Sequence, residues 1–180
     1  GSENLQSGKS YNITWSSYSS VANVKIEYST NSGVSWNVIT PSVQASLGTF
    51  PWVVTNITGS SFRIRVSDAD AVSPTEFIND ISDNNFSVKR LDLISPVGGE
   101  FFQIGKSKQI SWNIGNISTL RIDLSTDGSN FFNIAEIPGS NSTHNLLLTN
   151  PSYVSSSCYI KIYDKDNPSI VSVSPSSFTI

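Results

Sequence analysis

Gly105-Lys106-Ser107-Lys108-Gln109-Ile110-Ser111-Trp112 repeats an earlier stretch, Gly8-Lys9-Ser10-Tyr11-Asn12-Ile13-Thr14-Trp15. Gly, Lys, Ser, Ile and Trp recur at one constant offset, and Glu3 and Gln6 recur ahead of them as Glu100 and Gln103. A self-match of this length near half the chain means that one unit is written twice. Within each copy the apolar residues alternate with polar ones. Tyr11, Ile13 and Trp15 point one way, Asn12 and Thr14 the other, which is the period of a half-buried strand.

The repeat runs on through the chain. Ile26, Ser29 and Thr30 return as Ile122, Ser125 and Thr126, and Trp36-Asn37-Val38 aligns with Phe132-Asn133-Ile134. Phe62-Arg63-Ile64-Arg65-Val66 returns as Cys158-Tyr159-Ile160-Lys161-Ile162, then Asp68 and Asp70 as Asp164 and Asp166. Ser82 and Phe86 close the first copy as Ser174 and Phe178 close the second. Small drifts in offset mark loops, where insertions are tolerated. Positions that keep apolar character but change identity behave as core positions do. The expected core therefore includes Trp15, Trp112, Ile13, Ile110, Ile64, Ile160, Phe86 and Phe178. Trp36 and Trp52 (the latter matched to Leu146) are expected to pack as well.

Nearly every other segment also alternates with period two. Val24, Ile26 and Tyr28 alternate with Lys25 and Glu27, and Phe62, Ile64 and Val66 with Arg63 and Arg65. With turn signals between them, such segments predict an all-β chain: two tandem antiparallel sandwiches of about seven strands each. The expected domains are residues 1–90 and 91–180. Leu91-Asp92-Leu93-Ile94-Ser95-Pro96 supplies a leading strand to the second. Gly1 corresponds to the loop after such a strand, so the first is expected to lack it. The passage from Val88 through Lys89-Arg90 to Leu91 has no Gly/Ser or Pro-rich spacer, which predicts a semi-rigid junction. The loop from Ala71 to Asp83 is expected to exceed its counterpart in length.

Composition narrows the function classes. The 180 residues are 37% hydrophobic and 14% charged, with a net charge of −3, so no basic face for nucleic acid is expected. No apolar run approaches the ~20 residues of a membrane-spanning helix. The single cysteine, Cys158, excludes an internal disulfide and reads as a small buried hydrophobe. The chain contains no Met, which suggests a piece of a longer precursor.

The residues Pro96-Val97-Gly98-Gly99-Glu100, Gly105, Ile110-Ser111-Trp112, Ile122-Asp123-Leu124-Ser125-Thr126-Asp127-Gly128 and Cys158-Tyr159-Ile160-Lys161-Ile162 carry a resemblance. So do Asp164, Asp166, Asn167-Pro168-Ser169 and Ser177-Phe178-Thr179-Ile180. Together they resemble Ig-like, fibronectin-type-III-like repeats of secreted and surface-anchored bacterial proteins, common in Bacteroidetes. They are more loosely similar to a fungal cell-wall module. In the first repeat Asn31-Ser32-Gly33 replaces the Asp-Gly turn. The resemblance implies an accessory module at the cell surface or in secretion, without shared catalytic residues.

Three side-chain groups invite a chemical reading. His144 is the only histidine, which excludes multi-histidine metal sites within the chain; it is expected in a solvated loop. Asp68 with Asp70, and Asp164 with Asp166, head loops at strand ends and are candidate calcium ligands. The competing reading is that these side chains brace their own turns. The outward face of the second repeat carries Arg121, Asp123, Tyr159, Lys161 and Tyr163. Tyr159 and Tyr163 are candidate stacking faces for sugar rings, with Arg121 and Asp123 as hydrogen-bonding partners. The competing reading is a solvated face in which Glu27 and Asp123 pair with basic residues across the strands, each pair worth about 0.2–1 kcal/mol.

The expectation is a non-catalytic structural or adhesive spacer of a larger secreted or surface-displayed protein, with no cofactor. The alternative is a carbohydrate-binding accessory module of a secreted polysaccharide-degrading enzyme. The expected partners are neighbouring domains of a longer precursor, with polysaccharide or a surface protein as candidate ligands, and neither nucleic acid nor membrane insertion.

Overall fold

A computed structural model describes residues 1–18, 20–71 and 78–180. Part of the Ala71 to Asp83 loop, whose length was in question, lies outside the described residues. The chain divides into two units, Gly1–Val88 and Lys89–Ile180. No helix among the described residues is long and apolar enough to cross a membrane.

Unit 1 contains β1 (Asn4–Gln6), β2 (Ser10–Thr14), β3 (Asn23–Ser29), β4 (Asn37–Gln44), β5 (Thr49–Val53), β6 (Gly59–Asp68), β7 (Asn79–Ile81) and the first residues of β8 (Phe86–Ser95). One layer runs β4–β3–β6, with β7 and the start of β8 also on β6; the other is the antiparallel pair β2–β5. The alternation read from Val24 to Tyr28 and from Phe62 to Val66 places these two segments side by side, with Glu27 opposite Arg65 and Ile26 opposite Val66.

Unit 2 contains the rest of β8, then β9 (Ser107–Gly115), β10 (Thr119–Ser125), β11 (Phe131–Pro138), β12 (Thr143–Leu147), β13 (Tyr159–Asp164) and β14 (Val171–Val173). Its layers are β11–β10–β13–β14 and β8–β9–β12, again antiparallel. Each unit is an all-β sandwich of the Ig-like, fibronectin-III-like kind.

The repeat extends to individual hydrogen bonds. Ser82 N donates to Ile64 O while Ile64 N donates to Ser82 Oγ; Ser174 and Ile160 make the same reciprocal pair. Trp15 Nε1 donates to Ala45 O at 2.9 Å, and Trp112 Nε1 to Asn141 O at 2.8 Å. A buried indole N–H requires such an acceptor. The turn after β3 is gathered on Ser29 Oγ, which accepts from Gly33 N; Ser125 Oγ accepts from Gly128 N after β10.

The cores differ. Unit 2 has one cluster, in which Ile110, Trp112, Ile122, Ile160, Ile162, Cys158 and Phe178 are all at most 1% exposed. Unit 1 has two smaller clusters, one around Trp52, Phe62 and Phe86 and one around Val24 and Ile26. The expectation of equivalent cores is corrected here: Trp15, Ile13 and Ile64 are only partly buried. The physical reason is a strand. In unit 2, β8 covers the outer edge of β9, with Leu93 opposite Trp112 and Leu91 opposite Ile114. In unit 1, β2 pairs with β5, and among the described residues no strand pairs with its other edge.

Candidate functional site: the outer strand faces

In β10 the residues Leu120, Ile122 and Leu124 are buried in the core, so Arg121, Asp123 and Ser125 take the opposite face. In β13 Ile160 and Ile162 are buried and Tyr159, Lys161 and Tyr163 share that opposite face. The register sets Arg121 opposite Tyr163, Asp123 opposite Lys161 and Ser125 opposite Tyr159. All four candidate sugar-contacting residues therefore belong to one face.

These side chains are engaged with one another. Lys161 Nζ lies 3.1 Å from Asp123 Oδ2, 4.5 Å from the Phe131 ring centroid and 5.3 Å from that of Tyr163. Arg121 sits 5.8 Å from the same Tyr163 ring and pairs with Glu136 at 3.1 Å. Asn133 Nδ2 donates to Asp123 Oδ1 at 3.2 Å. Burial and then the charge of Asp123 push the Tyr163 hydroxyl above its ordinary pKa. Gly128 lies so close to Tyr159 that an added Cβ would come within 3.2 Å of its ring.

Unit 1 repeats the device with different residues. Arg65 donates through Nη2 at 2.6 Å and Nε at 2.9 Å to Glu27 Oε2, and Lys25 Nζ lies 2.7 Å from Oε1. The Arg65 guanidinium is 4.4 Å from the Trp36 ring centroid. Burial opposes ionisation of Glu27, but the bonds from Lys25 and Arg65 outweigh it and hold the carboxyl below its ordinary range. In each unit, then, a carboxylate is bound by a cation that is itself stacked on an aromatic ring.

Two expectations are corrected by this geometry. The face is charge-braced but its carboxylates are not solvated: Glu27 is 3% exposed and Asp123 5%. The long cationic stems and the aromatic rings lie over them. Trp36 is also no core residue equivalent to Phe132. Its counterpart is Phe131, which stands opposite Ser125 and stacks on Lys161 as Trp36 stacks on Arg65. The turn after β3 is one residue longer than the turn after β10, and that shifts the alignment by one.

The Asp-x-Asp pairs lie at the ends of β6 and β13. Asp68 Oδ1 accepts from Asp70 N at 2.9 Å, and Asp164 Oδ1 from Asp166 N at 3.0 Å. Asp70 Oδ2 accepts from Asn23, while Asp164 Oδ2 binds Lys89 Nζ at 2.5 Å. These oxygens close turns and one ion pair. Among the described residues no group of three or more His, Cys, Asp or Glu side chains is placed to hold a metal ion. His144, expected in a loop, instead sits half-buried in β12 opposite Ile110, because the polar run before it ends one residue into the strand.

No protein-family model matches the chain, and no curated protein matches it. Among solved structures it is similar to fibronectin(III)-like modules of Clostridium thermocellum CbhA. The identity is 17%, covering 95% of this chain and 84% of that one, with a TM-score of 0.34. It is also similar to the FN1–FN3 domains of chicken CNTN1, at 12% identity over 99% of this chain and 61% of that one, with a TM-score of 0.36. The fold rests on the strand order and register above rather than on these likenesses.

Proposed function

We propose that this chain is a non-catalytic structural module of a larger secreted or surface-displayed protein. One observation carries the reading. The polar outer faces of both units are engaged internally, with Arg65 in unit 1 and Lys161 in unit 2 each held between a carboxylate and an aromatic ring. Such a face stabilises its own sheet and presents a braced surface, which suits a module whose role is to hold neighbouring domains of a precursor.

A carbohydrate-binding role would require Tyr159 and Tyr163 to offer ring faces to a sugar. Tyr163 instead lies beside two cations, and Tyr159 lies over Gly128. Affinity electrophoresis of the chain through gels containing plant, algal or fungal polysaccharides tests the choice. No retardation is expected. Retardation that is lost in Tyr159→Ala with Tyr163→Ala would overturn the structural reading in favour of sugar binding.

A further inference from the structure

The last strand of a sheet presents unpaired backbone groups, and proteins guard such edges with proline, bulges, charge or short strands. The edges at β4, β11 and β5 are guarded in this way. β4 carries Pro41 and a register broken twice against β3, and β11 carries a bulge, Glu136 and Pro138. β5 carries Pro51 at its centre. The strand at the end of the layer β12–β9–β8 is different. β12 reads Thr143-His144-Asn145-Leu146-Leu147, without proline, Lys, Arg, Asp or Glu, and its pairing with β9 runs unbroken.

The register shows which backbone groups of β12 are free. Trp112 N donates to Ser142 O, so the hydrogen-bonded pairs recur at every second residue, at Ile110 with His144 and Lys108 with Leu146. The N–H and C=O groups of Thr143, Asn145 and Leu147 therefore point away from β9, and no other described strand pairs with them. Their side chains are exposed, Leu147 by 56%.

Unit 1 has the same position blocked. Pro51 stands opposite Asn12 as Asn145 stands opposite Gln109, and Asn12 and Gln109 are one position of the repeat. Val54 N donates to Lys9 O, which puts Thr49, Pro51 and Val53 on the free edge of β5. Proline has no N–H, so the central donor that Asn145 offers is missing there.

The free edge of β12 is complementary to itself. Two copies laid antiparallel about Asn145 set Asn145 opposite Asn145 and Thr143 opposite Leu147. All of these residues turn their hydrogen-bonding groups to the free side, so each pair exchanges both backbone hydrogen bonds. No Lys, Arg, Asp or Glu in one strand meets a like charge in the other. The exposed Leu147 of each copy is brought beside the Thr143 methyl of the other.

We propose that β12 is a self-association edge, through which two copies of this chain join into one continuous sheet about a two-fold axis. The occupant is a second copy because the free positions, their spacing and their lack of charge match under that axis. This goes beyond the structural role proposed above and does not rest on it.

Sedimentation velocity of the full chain from about 10 µM to about 1 mM tests the proposal, a range that suits an interface smaller than ~1,200 Å². A monomer–dimer equilibrium is expected, with the amides of Thr143, Asn145 and Leu147 gaining hydrogen-exchange protection as concentration rises. Asn145→Pro should abolish both effects, and Pro51 in β5 shows that the strand itself tolerates proline at this position. Asn145→Lys and Asn145→Asp should each be monomeric alone, because like charges then meet across the axis, and should associate when mixed. A chain that stays monomeric throughout the range would overturn the proposal, and if it captured an extended peptide at β12 the edge would belong to another protein. A dimer that survives Asn145→Pro, or protection that falls on Ser10–Thr14 or any strand other than β12, would overturn it too.

Discussion

Lys89 Nζ lies 2.5 Å from Asp164 Oδ2, with the two side chains only 13% and 0% exposed. The residues are 75 apart in sequence, and the pair ties the start of unit 2 to the end of β13. Asp164 also accepts from Asp166 N, so each of its oxygens is satisfied. A buried pair of this kind contributes little when compared with a well-packed apolar pair, but half of it left alone is costly.

Lys89→Ala is therefore expected to destabilise unit 2 by about 3–5 kcal/mol, because it strands a buried carboxylate. Lys89→Met with Asp164→Leu should recover most of that loss. Urea denaturation of the three chains measures both. A single variant as stable as the parent would mean that the carboxylate is reached by water.

Glu27 makes the stability of unit 1 depend on pH. Its carboxyl sits below the ordinary value of 4.5 in the folded chain, since Lys25 and Arg65 outweigh the cost of burial. A depressed folded pKa gives stability that is present above the unfolded value and lost as pH falls through the folded one. Unit 1 should therefore weaken below about pH 4.5, and Glu27→Gln should flatten that part of the profile. Thermal unfolding between pH 2 and 7, with an NMR titration of the Glu27 carboxyl, reads both.

The cross-strand partnership behind that prediction was legible in the sequence. Period-two alternation put Glu27 and Arg65 on one face of their strands, and the repeat put Asp123 and Lys161 in the same relation. The aromatic ring over each cation was not legible. Trp36 aligns by eye with Phe132, and only the hairpin register, shifted by the longer Asn31–Ser35 turn, pairs it with Phe131. Lys89 read as a junction residue because nothing in sequence connects it with Asp164. Among the candidate site residues, shared placement on a face followed from alternation, whereas engagement of Tyr163 by Lys161 and Arg121 depends on rotamers that alternation does not specify.

Trp36→Ala should cost about 0.5–2 kcal/mol, the range of a cation–π contact between exposed and desolvated extremes, rather than the loss of a core aromatic. The Glu27–Arg65 pair is expected to survive it, because two hydrogen bonds hold the guanidinium independently. Trp36→Phe should restore most of the lost stability. A loss as large as that of a buried tryptophan would return Trp36 to the core.

Trp15 and Trp112 occupy matching positions and make matching indole hydrogen bonds, yet they should differ in energetic weight. Trp112 is 1% exposed beneath Leu93, so Trp112→Ala removes a fully packed side chain and should cost unit 2 about 3–5 kcal/mol. Trp15 lines an open groove, and part of its ring already meets water. Less apolar area is lost on truncation there, and the space left behind is continuous with solvent rather than a closed cavity. Trp15→Ala should therefore cost unit 1 clearly less than Trp112→Ala costs unit 2. Hydrogen exchange with mass spectrometry resolves the two units in one experiment and assigns each loss to its own core. Equal losses would mean that Trp15 is as enclosed as Trp112, and the groove beside it would not be open.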